Sequence, residues 1–273
     1  MDYIHALVMG ILQGLTEFFP VSSTAHVDIY PRLLKLTSPV LNSLTFDVAL
    51  HAGTLVALIV FFRKRILSLL TAFFKGLAAA KSRDTADFKL SIYIIVATIP
   101  AALAGALFEK QAEEKFRAIA IVAAMLIIFA VILYLADRFG ARKKEITAMN
   151  FKDAVIIGLA QAVALIPGVS RSGASITAGL AAGYKREDAA EFSFLLCIPV
   201  ILGAVILKLK AIIHTASSGS ALVIALGFTA SLIAGILAIK VLLGFVKKNS
   251  YLVFVVYRIA LGVTLLVFFA GRV

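Results

Sequence analysis

Residues 13–26 read QGLTEFFPVSSTAH, a run that breaks an apolar N-terminal segment with one proline. Pro20 has no backbone donor and pushes the residue before it out of the helical region, so a helix entering here stops near Phe19. The chain then restarts, with Ser22, Ser23 or Thr24 available to cap the new helix. Gln13 and Glu17 stand four residues apart, on one face of the first helix. His26 follows within a turn of the caps.

A second stretch has the same plan. Residues 161–175 read QAVALIPGVSRSGAS, with Pro167 and Gly168 at the break and Ser170, Arg171, Ser172, Gly173 and Ser175 after it. Gly10-Ile11-Leu12-Gln13 before the first break is matched by Gly158-Leu159-Ala160-Gln161 before the second. FDVALHAG at 46–53 and EFSFLLCI at 191–198 follow the two breaks in turn.

The surroundings place both breaks in a membrane protein. Of 273 residues, 62% are hydrophobic and only 15% charged, and the mean hydropathy is +1.02. Soluble domains are nearer half apolar and a quarter charged. Six apolar runs are long enough to cross the bilayer: 46–62, 90–108, 117–136, 189–207, 221–243 and 251–270. The segments 4–40 and 152–187 enter, break and return, which predicts two re-entrant helix hairpins. The expected fold is an all-α polytopic membrane protein with six transmembrane helices, these two hairpins and an inverted-topology repeat. It forms one integral membrane domain, 1–273, with halves at about 1–136 and 150–273.

Basic residues set the orientation. Loops 63–89, 137–152 and 244–250 carry most of them and are placed in the cytoplasm. Loop 109–117 balances Lys110, Lys115 and Arg117 against Glu109, Glu113 and Glu114 and is placed outside, as are both termini. The same distribution accounts for the formal charge of +12 without nucleic acid. The single cysteine, Cys197, excludes an internal disulfide and a cysteine metal cluster and reads as a buried small hydrophobe. The N-terminal residues, with an acid and no basic stretch, do not read as a signal peptide.

At the breaks the residue types point to phosphate. An intramembrane carboxylate needs a partner, a metal or a wet cavity, and marks function by default. Half-helix N-termini offer free N–H groups and a positive dipole end. The Arg171 guanidinium fits phosphate oxygens in pairs. The bland readings are capping hydroxyls, a structural histidine, and an Arg171–Glu17 pair that serves stability alone. Asp47 and His51 open a span and are placed to tune the site. Arg258, inside the last span, is expected to snorkel or to pair with a buried acid such as Glu191.

Together these two stretches resemble the signature motifs of the bacterial undecaprenyl-diphosphate phosphatases of the BacA type. Those motifs are E/Q-x-x-x-E followed by SST-G/A-H, and P-G-x-S-R-S-G-x-T. The resemblance runs along the whole chain, with Gln13, Ala25 and Ser175 at positions where glutamate, glycine and threonine are common. It implies hydrolysis of undecaprenyl diphosphate to the monophosphate and inorganic phosphate, recycling the carrier lipid for cell-wall synthesis and conferring bacitracin resistance. It implies a divalent cation, Mg²⁺ or Ca²⁺, held by Glu17 with Gln13. Glu17, Ser23, His26 and Arg171 are then the catalytic set, and Gln13, Ser22, Thr24, Ser170, Ser172, Gly173 and Ser175 bind substrate. The expected setting is the bacterial plasma membrane among its lipids, with the site facing the outer side; a homodimer is compatible with it. The nucleophile is left open between Ser23, with His26 or Glu17 as base, and a water activated by metal or by Glu17. A lipid flippase or transporter and a non-enzymatic lipid-binding scaffold are the rival classes.

Overall fold

The structure, a computed structural model, describes residues 1–116, 118–215 and 220–269, with 109–115 and 209–215 described in backbone only. The described residues are helical and contain no strand, only one isolated bridge between Lys144 and Tyr184. Six helices are long and apolar enough to cross a membrane: Leu44–Phe61 (α3), Ala86–Phe108 within α5 (Ala86–Phe116), Ile119–Phe139 (α6), Arg186–Lys208 within α9 (Arg186–Thr215), Ala221–Val246 (α10) and Leu252–Phe269 (α11). They are the six expected spans, displaced by a few residues at their ends. The charge-balanced stretch 109–117 lies outside the described side chains; its backbone continues α5 to Phe116.

Between the spans, each proline break yields two short helices joined by an elbow. The first pair is Asp2–Phe18 (α1) and Ser23–Leu33 (α2); the second is Phe151–Val163 (α7) and Arg171–Ala181 (α8). At 1.5 Å per residue, the 17 residues of α1 reach only about 25 Å and the 11 of α2 about 16 Å, short of a ~30 Å hydrocarbon layer. Phe19 ends α1 in extended backbone, φ −66° and ψ 137°, as the following proline requires.

One expectation fails. Segment 63–89, read as a loop, holds an amphipathic helix, Arg63–Ala78 (α4), and a 3₁₀ turn, Ala80–Asp84. Leu69 is buried while Leu67, Leu70, Phe74 and Leu77 are exposed. The helical spacing of these apolar residues was there to be read. Seven basic residues within 63–89 give the segment the composition of a loop despite this period. The 3₁₀ turn folds back on α4, where Arg83 Nε donates to Gly76 O at 2.9 Å, and Arg65 Nη1 of α4 meets Asp87 Oδ1 of α5 at 2.7 Å.

The packing is reciprocal. α1 lies along α10 and α7 along α5, so each broken helix rests on a span from the other half of the chain. α3 packs against α9, and α6 against α11. Small residues allow the close approach. A Cβ on Gly10 would lie 2.4 Å from Gly227 O, and one on Gly14 would lie 2.6 Å from Ser231 O. Gly10 and Gly14 form a G-x-x-x-G face on α1, the arrangement that brings helix backbones together in lipid. Gly14→Val is therefore expected to destabilise the protein by about 1–3 kcal/mol or more through overpacking. Thermal unfolding in detergent measures this; an unchanged midpoint would mean that the α1–α10 seam can open at little cost.

Below the elbows, Phe18, Phe192, Phe194, Leu195 and Leu196 form the centre of the core, and Cys197 is fully buried among them. At the start of α7, Tyr184 donates to Asp153 Oδ2 at 2.7 Å, as does Lys144 at 3.0 Å. Burial, helped by this carboxylate, pushes the Tyr184 phenol above its ordinary range.

Candidate active site

The two elbows have the same backbone. Ser22 precedes α2 with φ 74° and ψ 99°, and Ser170 precedes α8 with φ 75° and ψ 118°. Each turns its hydroxyl onto the helix it opens. Ser22 Oγ accepts from Ala25 N at 3.4 Å, and Ser170 Oγ accepts from Gly173 N at 3.1 Å. Left-handed φ is uncommon for a residue with a side chain and marks strain that surrounding contacts must hold. The next residues, Ser23 and Arg171, therefore occupy the same first position of their half-helices.

Glu17, on the last turn of α1, joins them. Its side chain is 1% exposed. Oε1 accepts from Arg171 Nη2 at 2.8 Å. Oε2 accepts from Ser23 Oγ at 2.8 Å and from Gln13 Nε2 at 3.0 Å. Acid, hydroxyl, carboxamide and guanidinium thus make one connected group across the two halves. Arg171 remains 24% exposed, so most of its five N–H donors are free for a ligand.

His26 stands one turn into α2 and bonds away from the Ser23–Glu17 pair. Its Nδ1 lies 2.8 Å from Ser22 O, and a carbonyl can only accept, so Nδ1 carries a proton. Nε2 lies 2.6 Å from Tyr257 Oη, and the two rings stack at 9°. Both ring nitrogens are thus engaged, while the Ser23 hydroxyl is bonded to Glu17. Tyr257 was missed; nothing in VVYRIAL separates it from an interfacial aromatic.

A second imidazole stands nearer the acid. His51 Nδ1 donates to Asp47 O at 2.9 Å, leaving Nε2 facing Glu17 Oε2 at 4.0 Å. Thr24 is exposed on the first turn of α2. Ser172 Oγ donates to Phe19 O at 3.3 Å and lies 3.3 Å from Ser170 Oγ, tying the second elbow to the first. Ser175 is not brought to the site surface. It is buried, bonding Arg171 O at 2.8 Å and Ser193 Oγ at 2.6 Å.

Arg258 corrects a further expectation. It neither snorkels nor pairs with Glu191, whose partner is Arg65 at 3.5 Å. Arg258 is fully buried and donates only to backbone carbonyls: Leu126 O at 3.2 Å, Pro20 O at 3.1 Å, Gly168 O at 3.0 Å and Val169 O at 2.9 Å.

Among the described residues no three His, Cys, Asp or Glu side chains converge as a metal cage. The donors beside Arg171 are oxygen-rich nonetheless: the Glu17 carboxylate, the Gln13 carboxamide and the Ser23 hydroxyl. One carboxylate with few protein oxygens fits a hard cation that shares its coordination with phosphate, the habit of Mg²⁺, and does not fit a soft metal.

Comparison with known proteins gives a consistent result. The family model described as "Bacitracin resistance protein BacA" matches residues 6–264. An undecaprenyl-diphosphatase of Geotalea daltonii is 44% identical over 270 residues, covering 98% of each chain. One of Caldicellulosiruptor bescii is 45% identical over 274 residues, covering 100% of this chain and 99% of the relative. One of Myxococcus xanthus is 41% identical over 267 residues, covering 98% of this chain and 89% of the relative.

Proposed function

This chain belongs to the BacA family, and from that premise we propose that its paired elbows hydrolyse undecaprenyl diphosphate to undecaprenyl phosphate and inorganic phosphate. It is a multi-pass membrane hydrolase that returns the carrier lipid to cell-wall synthesis and confers bacitracin resistance. The observation that carries this reading is the Ser23–Glu17–Arg171 group, in which a hydroxyl, its proton acceptor and a phosphate-binding guanidinium are joined within 2.8 Å contacts.

Phosphoryl transfer asks mainly for positioning and for charge stabilisation. Arg171 keeps one N–H on Glu17 and offers the others to the terminal phosphate, beside the free N–H groups of α8 and α2. Ser23 Oγ attacks the terminal phosphorus as its proton passes to Glu17 Oε2. The bond to the bridging oxygen breaks, and undecaprenyl phosphate leaves with the proton that Glu17 had taken, which restores the carboxylate. Water then attacks the phosphoseryl group, giving a proton to the carboxylate; phosphate departs and Ser23 recovers its proton. The short Ser23–Glu17 bond supports Glu17 rather than His26 as the base. Glu17, Gln13 and Ser23 would hold a Mg²⁺ or Ca²⁺ ion, which when bound supplies charge neutralisation on the diphosphate.

Matching elbows and reciprocal packing support an inverted repeat, with halves at about 1–136 and 150–273. The short arms support re-entrant hairpins. We place the protein in the bacterial plasma membrane with the basic stretches 63–89, 137–152 and 244–250 on the cytoplasmic side, as their charge supports.

The test is phosphate release from undecaprenyl diphosphate by purified protein. Release is expected, with strong reduction by chelator and recovery on adding Mg²⁺ or Ca²⁺. Movement of the lipid across liposomes without release would instead make the site a transporter's. Tyr257→Phe, which removes one hydrogen bond from His26, is expected to lower kcat by no more than ~10-fold, the value of a bond of about 0.5–1.5 kcal/mol. A far larger loss would show that the phenol itself touches substrate.

A further inference from the structure

We propose that Arg258 is a positioning residue that locks the two elbows in register, so that Ser23 and Glu17 on one side meet Arg171 on the other. This rests on the phosphatase reading for its kinetic signature, but not for its structural one.

Its guanidinium reaches three separate elements. Nη1 donates to Pro20 O in the first elbow at 3.1 Å. Nη2 donates to Gly168 O at 3.0 Å and Val169 O at 2.9 Å in the second. Nε donates to Leu126 O of α6 at 3.2 Å. These elbow carbonyls lie outside the regular helices, where buried backbone oxygens need a partner. They also lie one or two residues before Ser22 and Ser170, both of which sit at positive φ. The arginine thus fixes the backbone leading into both strained serines, and through them the first residues of α2 and α8.

A stability role alone explains less. A buried cation is expensive, and truncating a single apolar side chain at this depth would cost the fold less than the charge does. No carboxylate among the described residues pairs with Arg258; carbonyl dipoles from both elbows compensate it. A planar fork with donors in fixed directions spans these oxygens, and a lysine ammonium, a point donor, cannot. The opposing surface is shaped for it: a Cβ on Gly173 would lie 2.8 Å from Arg258 Nη1.

Two variants test the idea, Arg258→Lys, which keeps the charge, and Arg258→Met, which keeps only bulk. Each is purified, checked for monodispersity, assayed for phosphate release, and titrated with a non-hydrolysable methylene analogue of the lipid diphosphate. Expected for Arg258→Lys is a kcat at least ~10-fold lower, with KM and analogue affinity within ~3-fold of wild type. Arg258→Met should lose more. Hydrogen–deuterium exchange gives a readout independent of activity. Peptides covering 19–24 and 168–173 should exchange at least ~10-fold faster in Arg258→Lys, with the spans unchanged. The proposal is overturned by a kcat within twofold of wild type, by a loss carried by KM and affinity, or by unaltered exchange at the elbows. It is equally overturned if neither variant folds, because the arginine would then serve the whole fold. Wild-type protein that releases no phosphate would remove the phosphatase reading, and the exchange experiment would still decide the elbow register.

Discussion

Arg171→Ala is expected to lower kcat/KM for phosphate release by at least ~100-fold, about 3 kcal/mol in the barrier. The guanidinium has two tasks that alanine cannot share. It binds Glu17 Oε1 at 2.8 Å, and its remaining N–H groups are available to phosphate oxygens. Charge on the transferring phosphoryl group is stabilised by donors fixed in advance, and losing such a donor is among the costliest changes a site can suffer. Arg171→Lys separates the tasks. It keeps a cation but not the fork, so it should recover only part of the loss. The measurement is steady-state release of inorganic phosphate, with melting temperature as a control for folding. An alanine variant of full activity would leave Arg171 as a structural partner of Glu17 and no more.

Glu17→Ala should be as severe, again at least ~100-fold. The carboxylate accepts from Ser23, Gln13 and Arg171 at once, so its removal leaves a hydroxyl without a proton acceptor and a guanidinium without its counter-charge. Part of the alanine effect would be this unpaired cation. Glu17→Gln separates the contributions, since it retains the shape and an oxygen for Ser23 while abolishing the base. Its kcat should fall nearly as far as that of the alanine variant, with the fold preserved. Near-normal turnover in Glu17→Gln would rule out proton transfer to this residue. Phosphoryl-Ser23 trapped by rapid quench would fix the order of events, and normal turnover by Ser23→Ala would move the attack to water.

Much of this was legible because membranes impose lengths. A run of about 20 apolar residues has one plausible fate, so the six spans could be counted directly. Pro20 and Pro167 marked the elbows, because a residue before proline leaves the helix. Glu17 and Arg171 stood out as ions in apolar surroundings, and the structure joins them. The pairing itself, across 154 residues, has no local signature. Tyr257 and Arg258 were illegible for the same reason: their partners lie in elements far along the chain. The partners of His26 were not legible either, because helical rotation turns its ring toward Tyr257, 231 residues along the chain. Ser175 sits in a catalytic-looking phrase, yet is buried against Ser193 of α9. In α4 the charge count concealed a period that was present.

The reciprocal packing also bears on how the chain is made. A ribosome delivers α1 first, but the small-residue face of that helix is covered only by α10, which begins about 200 residues later. At about 5–20 residues per second, the first hairpin waits roughly 10–40 s for its partner. Glu17 lacks Arg171 for about the first three-quarters of that interval and lacks the support of α10 for all of it. Closure of the site is thus a late event in biogenesis, and the insertion machinery must tolerate an uncovered G-x-x-x-G face and a lone acid until the second half arrives.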